Sequence, residues 1–258
     1  MSALFEFGDT LPADYAALLW NVFFVQRGRG LTLPDHFPAL TGSGPGRWFA
    51  TLRDGGQLCA GLTVLEHRPP DGNTIARVGL VCVPARHRGR GHSQQLLQQA
   101  LDTLDGRGVT TATLWTGKPG VYQTLGFCIE DTASVCEVRA LPAGPATAFE
   151  GHRWPNLCSQ RGLPAYAWYA QRLRSPRADA LFVFDSLGTA LAEWQGDDLA
   201  VVELLAACAP RRWRLHALDN DRLPAALADA GAVVCTKSQL LQMWRGPLRA
   251  PLRLLDRI

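Results

Sequence analysis

The stretch Ile75 to Leu104 constrains this chain most, because an apolar run leads directly into a glycine- and arginine-rich loop and then into a helix. Ile75-Ala76-Arg77-Val78-Gly79-Leu80-Val81-Cys82-Val83 reads as a buried strand that Pro84 ends. The loop Arg86-His87-Arg88-Gly89-Arg90-Gly91-His92-Ser93 follows, and then the helical run from Gln94 to Leu101. Glycines let the backbone turn tightly and approach an anion closely, while unpaired N–H groups and the positive end of the helix dipole favour negative charge. The arginines add counter-charge, so the order of these parts suits a pyrophosphate. Arg27-Gly28-Arg29-Gly30 carries the same four letters without a strand before it, and it reads as a turn closing the helical run Tyr15 to Val25.

Downstream, Val109-Thr110-Thr111-Ala112-Thr113-Leu114-Trp115 suits a strand. Gly117-Lys118-Pro119-Gly120 makes a turn into a short helix, and Val121-Tyr122-Gln123-Thr124-Leu125-Gly126-Phe127 ends that helix at Gly126.

In these two blocks the chain resembles the GCN5-related N-acetyltransferase family. The family's cofactor motif is Arg or Gln, two residues, Gly, one residue, then Gly or Ala, and it has the Tyr, two residues, Leu-Gly-Phe ending. Two registers of the first motif fit: Arg86 to Gly91, and Arg88 through Gly91 to Ser93. The second keeps the family's distance to Leu96-Leu97 and is preferred. The resemblance implies a mixed α/β fold, a central and mostly antiparallel sheet flanked by helices, with acetyl-CoA as cosubstrate. It implies that loop amides of Arg88, Gly89, Arg90, Gly91, His92 and Ser93 hold the pyrophosphate. Backbone groups of Val81, Cys82 and Val83 then take the pantetheine arm.

At 258 residues the chain exceeds the roughly 100–200 residues of one domain, so two modules are expected. A net charge of +3 with scattered arginines argues against nucleic acid as a partner. Cys59, Cys82, Cys128, Cys136, Cys158, Cys208 and Cys235 are widely spaced and odd in number, which reads as small core residues in a reducing cytoplasm and not as a disulfide framework. No signal peptide and no apolar run near the ~20 residues of a membrane span is visible. Monomer and homodimer are both compatible.

The expected order of the first module, residues 1–142, is a helix over about Pro12 to Val25, a variable segment to Gly46, and a hairpin of Arg47–Leu52 and Gln57–Glu66 about Asp54-Gly55-Gly56. After the turn Asp71-Gly72-Asn73 come the cofactor strand, a helix from about Ser93 to Leu104, the Val109 strand, the Tyr122 helix, and a last strand from Phe127 to Val138. The proline-bearing stretch 143–151 reads as a linker.

Residues 152–258 look like a faded copy displaced by about 105 residues. Val201, Val202 and Leu205 stand where Leu96, Leu97 and Ala100 stand; Trp213–Leu218 is the next strand, Leu223–Ala230 the short helix, and Gly231 to Val234 the counterpart of Gly126 to Ile129. In the copy, Gly196, Asp197 and Asp198 replace Gly91, His92 and Ser93, and two carboxylates would repel a pyrophosphate. Leu227 replaces Tyr122. One working cofactor site is therefore expected, in the first module. Tyr166 to Leu173 reads as a helix whose aromatics pack inward, or else as a pocket wall.

The implied chemistry is direct acetyl transfer to a primary amine of a small molecule or peptide. Tyr122 is the candidate general acid, since a phenol beside the CoA sulfur can protonate the leaving thiolate; its alternative role is packing beside Leu125 and Phe127. Glu66 and His67, at the end of the strand before the cofactor strand, are candidates for the general base, and Glu130 and Asp131 for attracting a cationic acceptor amine, with solvated surface charge as the alternative. Cys82, in an apolar strand, reads as inert core. Trp115-Thr116-Gly117-Lys118 stands where the family has an asparagine that contacts CoA, with Thr116 or Lys118 as substitutes. Two other functions compete: an acyl-CoA-binding sensor whose second module transmits occupancy, and transfer to a protein N-terminus or lysine.

Overall fold

The computed structural model describes residues 3–27, 32–41, 45–70, 72–144, 148–153, 167–237 and 241–258. The motif copy Arg27–Gly30, Asp71, Cys158 and Tyr166 lie wholly or partly outside them. In chain order the first elements are β1 (Leu4–Gly8), α1 (Ala13–Phe23), the single turns α2 (Leu33–His36) and α3 (Pro38–Thr41), β2 (Arg47–Asp54), β3 (Gln57–His67) and β4 (Ile75–Cys82). Then come α4 (His92–Gly106), β5 (Thr111–Trp115), α5 (Pro119–Gln123), β6 (Cys128–Ile129), β7 (Ala133–Arg139) and β8 (Glu150–Arg153). The remainder is β9 (Ala167–Arg174), β10 (Ala178–Asp185), β11 (Gly188–Gly196), α6 (Asp198–Cys208), β12 (Arg212–Leu218), α7 (Leu223–Asp229), β13 (Val233–Lys237) and β14 (Gln242–Arg245).

The strands form two seven-stranded sheets, ordered β1-β2-β3-β4-β5-β14-β6 and β8-β9-β10-β11-β12-β7-β13. The two orders are the same plan. In each, one parallel pair stands at the centre, β4 with β5 and β11 with β12, and the other neighbours are antiparallel. Each sheet takes its sixth strand from the far part of the sequence. The strand expected to close the first module, Phe127 to Val138, is divided: Cys128–Ile129 pairs with β14 in the first sheet, whereas Ala133–Arg139 lies between β12 and β13 in the second. The compact units follow the sheets, unit 1 being 1–130, 241–250 and 257–258, and unit 2 being 131–240 and 251–256. The chain thus crosses between units near residue 130, and the stretch read as a linker already contains the start of β8 at Glu150.

In unit 1 the β2–β3 hairpin turns on Gly55 and Gly56, both at positive φ, and Asp54 faces Gln57 as a two-residue primed turn requires. One face of this sheet packs Ala60, Leu62, Val64, Ala76 and Val78 against Leu96, Leu97, Ala100, Leu101 and Leu104 of α4. The opposite face approaches α1 closely: a Cβ on Gly61 would overlap the ring of Tyr15. In unit 2 the copy's helix and strands fall within a few residues of where the 105-residue offset puts them, with Asp197 and not Gly196 at the cap position that Gly91 holds, and Val201, Val202, Leu205 and Leu227 are all core.

Tyr166 to Leu173 corrects the sequence reading, because residues 167–174 form β9 and not a helix. Buried Ala167, Ala170 and Leu173 recur every third residue, which imitates a helical face. Two causes combine: a bulge, in which Tyr169 faces Phe184 but Ala167 faces Asp185 and Trp168 is an extra residue, puts Ala167 and Ala170 in one core cluster, and Leu173 is buried in a different cluster. Trp168 and Tyr169 are exposed, and Tyr169 stacks on Phe184 at 4.0 Å. The cysteines divide as well; Cys59, Cys82 and Cys136 are core as expected, but Cys128 and Cys235 are exposed.

Tyr15 tests how α1 is fastened. Its hydroxyl donates to the Leu80 carbonyl at 3.0 Å and meets Thr63 Oγ1 at 3.0 Å, all buried. Tyr15→Phe should cost about 1–3 kcal/mol, the cost of leaving buried partners unsatisfied. Gly61→Ala, which must displace a ring held by these bonds, should cost more. Urea unfolding of both variants reads the order, and equal stability to wild type would show that this contact does not carry α1.

Candidate functional site

The site begins where β4 leaves β5. The parallel ladder covers Ile75–Thr111, Ala76–Ala112 and Arg77–Thr113 and then stops, although β4 runs on to Cys82. A bulge lies just beyond: Gly61 faces Cys82 and Thr63 faces Gly79, so β4 has one residue more than β3 across this span. Leu80 takes the strain, with φ of 51°, unusual for a branched side chain. Its carbonyl is the one that Tyr15 holds. Val78 to Val83 therefore offers backbone groups on the side facing away from β3, where a ligand can take the place of a strand. Gly79 marks a second close approach, since a Cβ there would overlap the backbone carbonyl of Ile258. Sequence reasoning missed Tyr15, the bulge and residue 258. Two glycines inside strands, Gly61 and Gly79, were the available signal, as such glycines mark close backbone approach.

From β4 the chain makes one 3₁₀ turn over Ala85–His87, with Arg88 Nε donating to the Val83 carbonyl at 3.2 Å. Gly89 and Gly91 both adopt positive φ, 74° and 79°. Gly91 is the residue that caps α4, and it brings no side chain to its first-turn N–H groups. The first helical bond runs from Gln95 N to the Gly91 carbonyl at 3.0 Å. The amides before it, those of His92, Ser93 and Gln94, point out of the helix with the positive dipole end behind them. Arg86, Arg88, Gly89, Arg90 and Gly91 are exposed around them. The expected loop residues are thus gathered at one helix terminus, with α4 starting at His92, one residue earlier than expected.

The corresponding terminus in unit 2 is closed. Asp197 caps α6, its carboxylate accepting from Ala200 N at 2.9 Å, so the amide that α4 leaves open is already bonded. That bond, followed by Arg177, holds the Asp197 carboxyl below its ordinary value.

Tyr122 lies on α5, which follows β5, so it stands at the same end of the parallel pair as the loop. Gln94 Nε2 of α4 donates to Thr124 Oγ1 at 2.9 Å, tying the loop's helix directly to the tyrosine's segment. Tyr122 packs edge-on to Phe127 at 6.2 Å and is half-buried. Burial pushes its phenol above the ordinary value, with Thr116 opposing, so at neutral pH it keeps a proton to give. Thr116 Oγ1 also accepts from Lys118 N at 2.9 Å, leaving Lys118 exposed at the start of α5.

The other candidates are engaged elsewhere. Glu66 accepts from Trp48 Nε1 at 2.8 Å and from Arg68 at 2.7 Å, one carboxylate oxygen to each. His67 ends β3 opposite Ile75. Glu130 is bound by Arg249 at 2.6 Å, which lowers its pKa. Cys82 is buried and desolvation pushes its thiol up to about 12, so it stays protonated and is a poor nucleophile.

Residues 45–129 match the family model described as an acetyltransferase (GNAT) domain. Among solved structures, the chain is similar to Eis1 from Mycobacterium abscessus at 17% identity, covering 94% of this chain and 73% of that one with a TM-score of 0.58. A GCN5-related N-acetyltransferase from Anabaena variabilis gives 14% identity, 94% and 72% coverage and a TM-score of 0.60. A tandem GNAT protein from the clavulanic acid biosynthesis pathway gives 16% identity, 95% and 100% coverage and a TM-score of 0.53. Comparison with curated protein sequences found no match. At these identities the structural likeness speaks for the fold, and it extends across both sheets. The matched residues 45–129 span the open loop, the β4–β5 split and the Tyr122 helix, so this part of the chain matches a GNAT acetyltransferase domain, and across both sheets the chain has a fold similar to that of a tandem GNAT protein.

Proposed function

We propose that the protein is an acetyl-CoA-dependent N-acetyltransferase with one working cofactor site, in unit 1. The observation that carries this reading is the convergence of an uncapped α4 terminus and a protonated Tyr122 at one end of the split parallel pair, joined through Gln94 and Thr124. Loop amides of Arg88 to Ser93 receive the pyrophosphate, and the backbone of Val81 to Val83 takes the pantetheine arm. The acceptor is a primary amine of a small molecule or peptide. Its nitrogen, as the free amine, attacks the thioester carbonyl, the C–S bond breaks, the Tyr122 hydroxyl gives its proton to the departing thiolate, and the proton that the nitrogen sheds on becoming an amide passes to solvent, from which Tyr122 is reprotonated. No acyl-enzyme forms, consistent with a Cys82 thiol that stays protonated.

Calorimetric titration of acetyl-CoA into the full chain tests the site. Wild type should bind one equivalent, Gly91→Asp should bind none, and Asp197→Ala should lose stability through its helix cap while binding acetyl-CoA unchanged. Absence of binding by folded wild type would overturn the proposal. Binding transferred to the region of Asp197 would overturn the assignment to unit 1.

Thiol release with a panel of amines tests the chemistry. Tyr122→Phe should lower kcat by about 10²–10⁴ with little change in acetyl-CoA affinity. Because the phenol of Tyr122 is raised, the alkaline fall in wild-type kcat assigned to its deprotonation should lie above pH 10, its ordinary value. Saturable binding without thiol release from any amine would leave a binding protein and refute the catalytic reading.

A further inference from the structure

Cys59, His87 and His92 bring one sulfur and two imidazoles together beside the cofactor loop, with their ligand atoms all within 4.8 Å of one another. The three come from different places: Cys59 from β3, His87 from the 3₁₀ turn after β4, and His92 from the first residue of α4. Cys59 Sγ lies 3.9 Å from His87 Nδ1, and the two rings meet edge-to-face at 5.9 Å. His92 Nδ1 is shielded from solvent and has no hydrogen-bond partner, an arrangement that costs free energy unless something else occupies it. None of this is needed for the proposed acetyl transfer, in which His92 contributes its backbone amide.

A tetrahedral zinc ion with bonds of ~2.3 Å to sulfur and ~2.0–2.1 Å to nitrogen holds its ligand atoms roughly 3.4–3.6 Å apart. With all its ligand atoms within 4.8 Å of one another, the cluster is wider than this by at most roughly 1.2–1.4 Å, a gap that side-chain rotations can close. We infer that Cys59, His87 and His92 form a binding site for a thiophilic divalent cation of the zinc type, with a fourth position left to water, which staples the cofactor loop to β3. Harder ions such as magnesium are excluded by the donor set, since they require oxygen ligands.

Binding is a proton exchange as well. The Cys59 thiol gives its proton to solvent on becoming the thiolate ligand. His87 Nε2 at present accepts from Arg86 Nε at 3.0 Å, which places the ring proton on Nδ1, facing Cys59. Metal ligation at Nδ1 moves that proton to Nε2 and swings the exposed Arg86 side chain away. The thiolate offsets one of the two charges brought by the ion, and the neighbouring arginines are exposed and screened by salt.

Cobalt(II) titration of the chelator-treated, reduced full chain is the test, because thiolate ligation gives a sulfur-to-cobalt charge-transfer band in the near ultraviolet. One equivalent should saturate that band, together with the intense visible bands of tetrahedral cobalt, and zinc should abolish both. Cys59→Ser should remove the charge-transfer band. His87→Gln, in an exposed turn where misfolding is not at issue, should weaken cobalt binding by at least the ~10–100-fold that loss of a supporting group costs a metal site. Replacing the exposed Cys128 and Cys235 together by serine should leave the band in place. No charge-transfer band, or a band that survives in Cys59→Ser and disappears with Cys128 and Cys235, would overturn the inference. The titration contains no acetyl-CoA, so its outcome is independent of the acetyltransferase assignment.

Discussion

The end of the β4–β5 ladder after Arg77 and Thr113 is the constraint on which unit 1 is organised. A parallel pair that continued would satisfy every backbone group of β4 and leave no place for a ligand. Instead the extra residue at the bulge redirects the strand, and Tyr15 fixes the redirection by bonding the Leu80 carbonyl. Backbone groups left unbonded in a buried setting cost about 1–3 kcal/mol each, so the opening persists only because α1 and its tyrosine hold the strand in that shape. The glycine-rich loop and Tyr122 then follow from the two strands that diverge, β4 leading into one and β5 into the other. Candidate site and scaffold are one device: the same divergence that exposes the strand also separates the loop from Tyr122.

Much of this was legible in residue order. The hairpin at Gly55-Gly56, α4, β5, α5 and the elements of the second copy stand within a few residues of where periodicity and turn chemistry put them. The loop was legible because its glycines need positive φ, and Gly89 and Gly91 have it. Other parts were not, for physical reasons. The Trp168 bulge shifts Ala167 to the spacing of a helix, so a pattern rule that assumes an unbroken period of two fails there. Sheet membership is a long-range matter: nothing within Ala133–Arg139 distinguishes pairing with the nearby β6 from pairing with the distant β12 and β13. The Cys59–His87–His92 cluster joins a residue 28 positions away from its partner, with no local motif to announce it.

The two helix termini differ in whether their first-turn amides are left open. Both follow the strand at the same place in the sheet, and both helices bury equivalent aliphatic positions. The difference is the cap. Gly91 in the left-handed region leaves the first-turn amides open, whereas Asp197 in extended conformation bends its own carboxylate onto Ala200 N. That carboxylate occupies the position an incoming phosphate oxygen would take and adds repulsion besides. A helix cap is therefore the local stabilising choice, and its absence from α4 is a cost that binding would recover.

The sixth strand of each sheet ties the two halves of the sequence together. The first sheet has β14 between β5 and β6, and both lose a neighbour if residues 242–245 are removed. Met243 and Trp244 are fully buried there, each side chain worth about 1.5–3 kcal/mol of burial. Thr113 Oγ1 donates to the Met243 carbonyl at 3.0 Å and accepts from Gln242 Nε2 at 3.2 Å, a buried polar pair that fixes the register. The Arg245–Asp105 ion pair is partly exposed and contributes less, about 0–1 kcal/mol. Burial thus outweighs charge in holding β14, and β14 flanks β5 on the side opposite the split. Residues that hold the open strand pair in place are therefore encoded beyond the second unit, so a chain cut after residue 142 would retain the loop and Tyr122 but lose the strand that braces them.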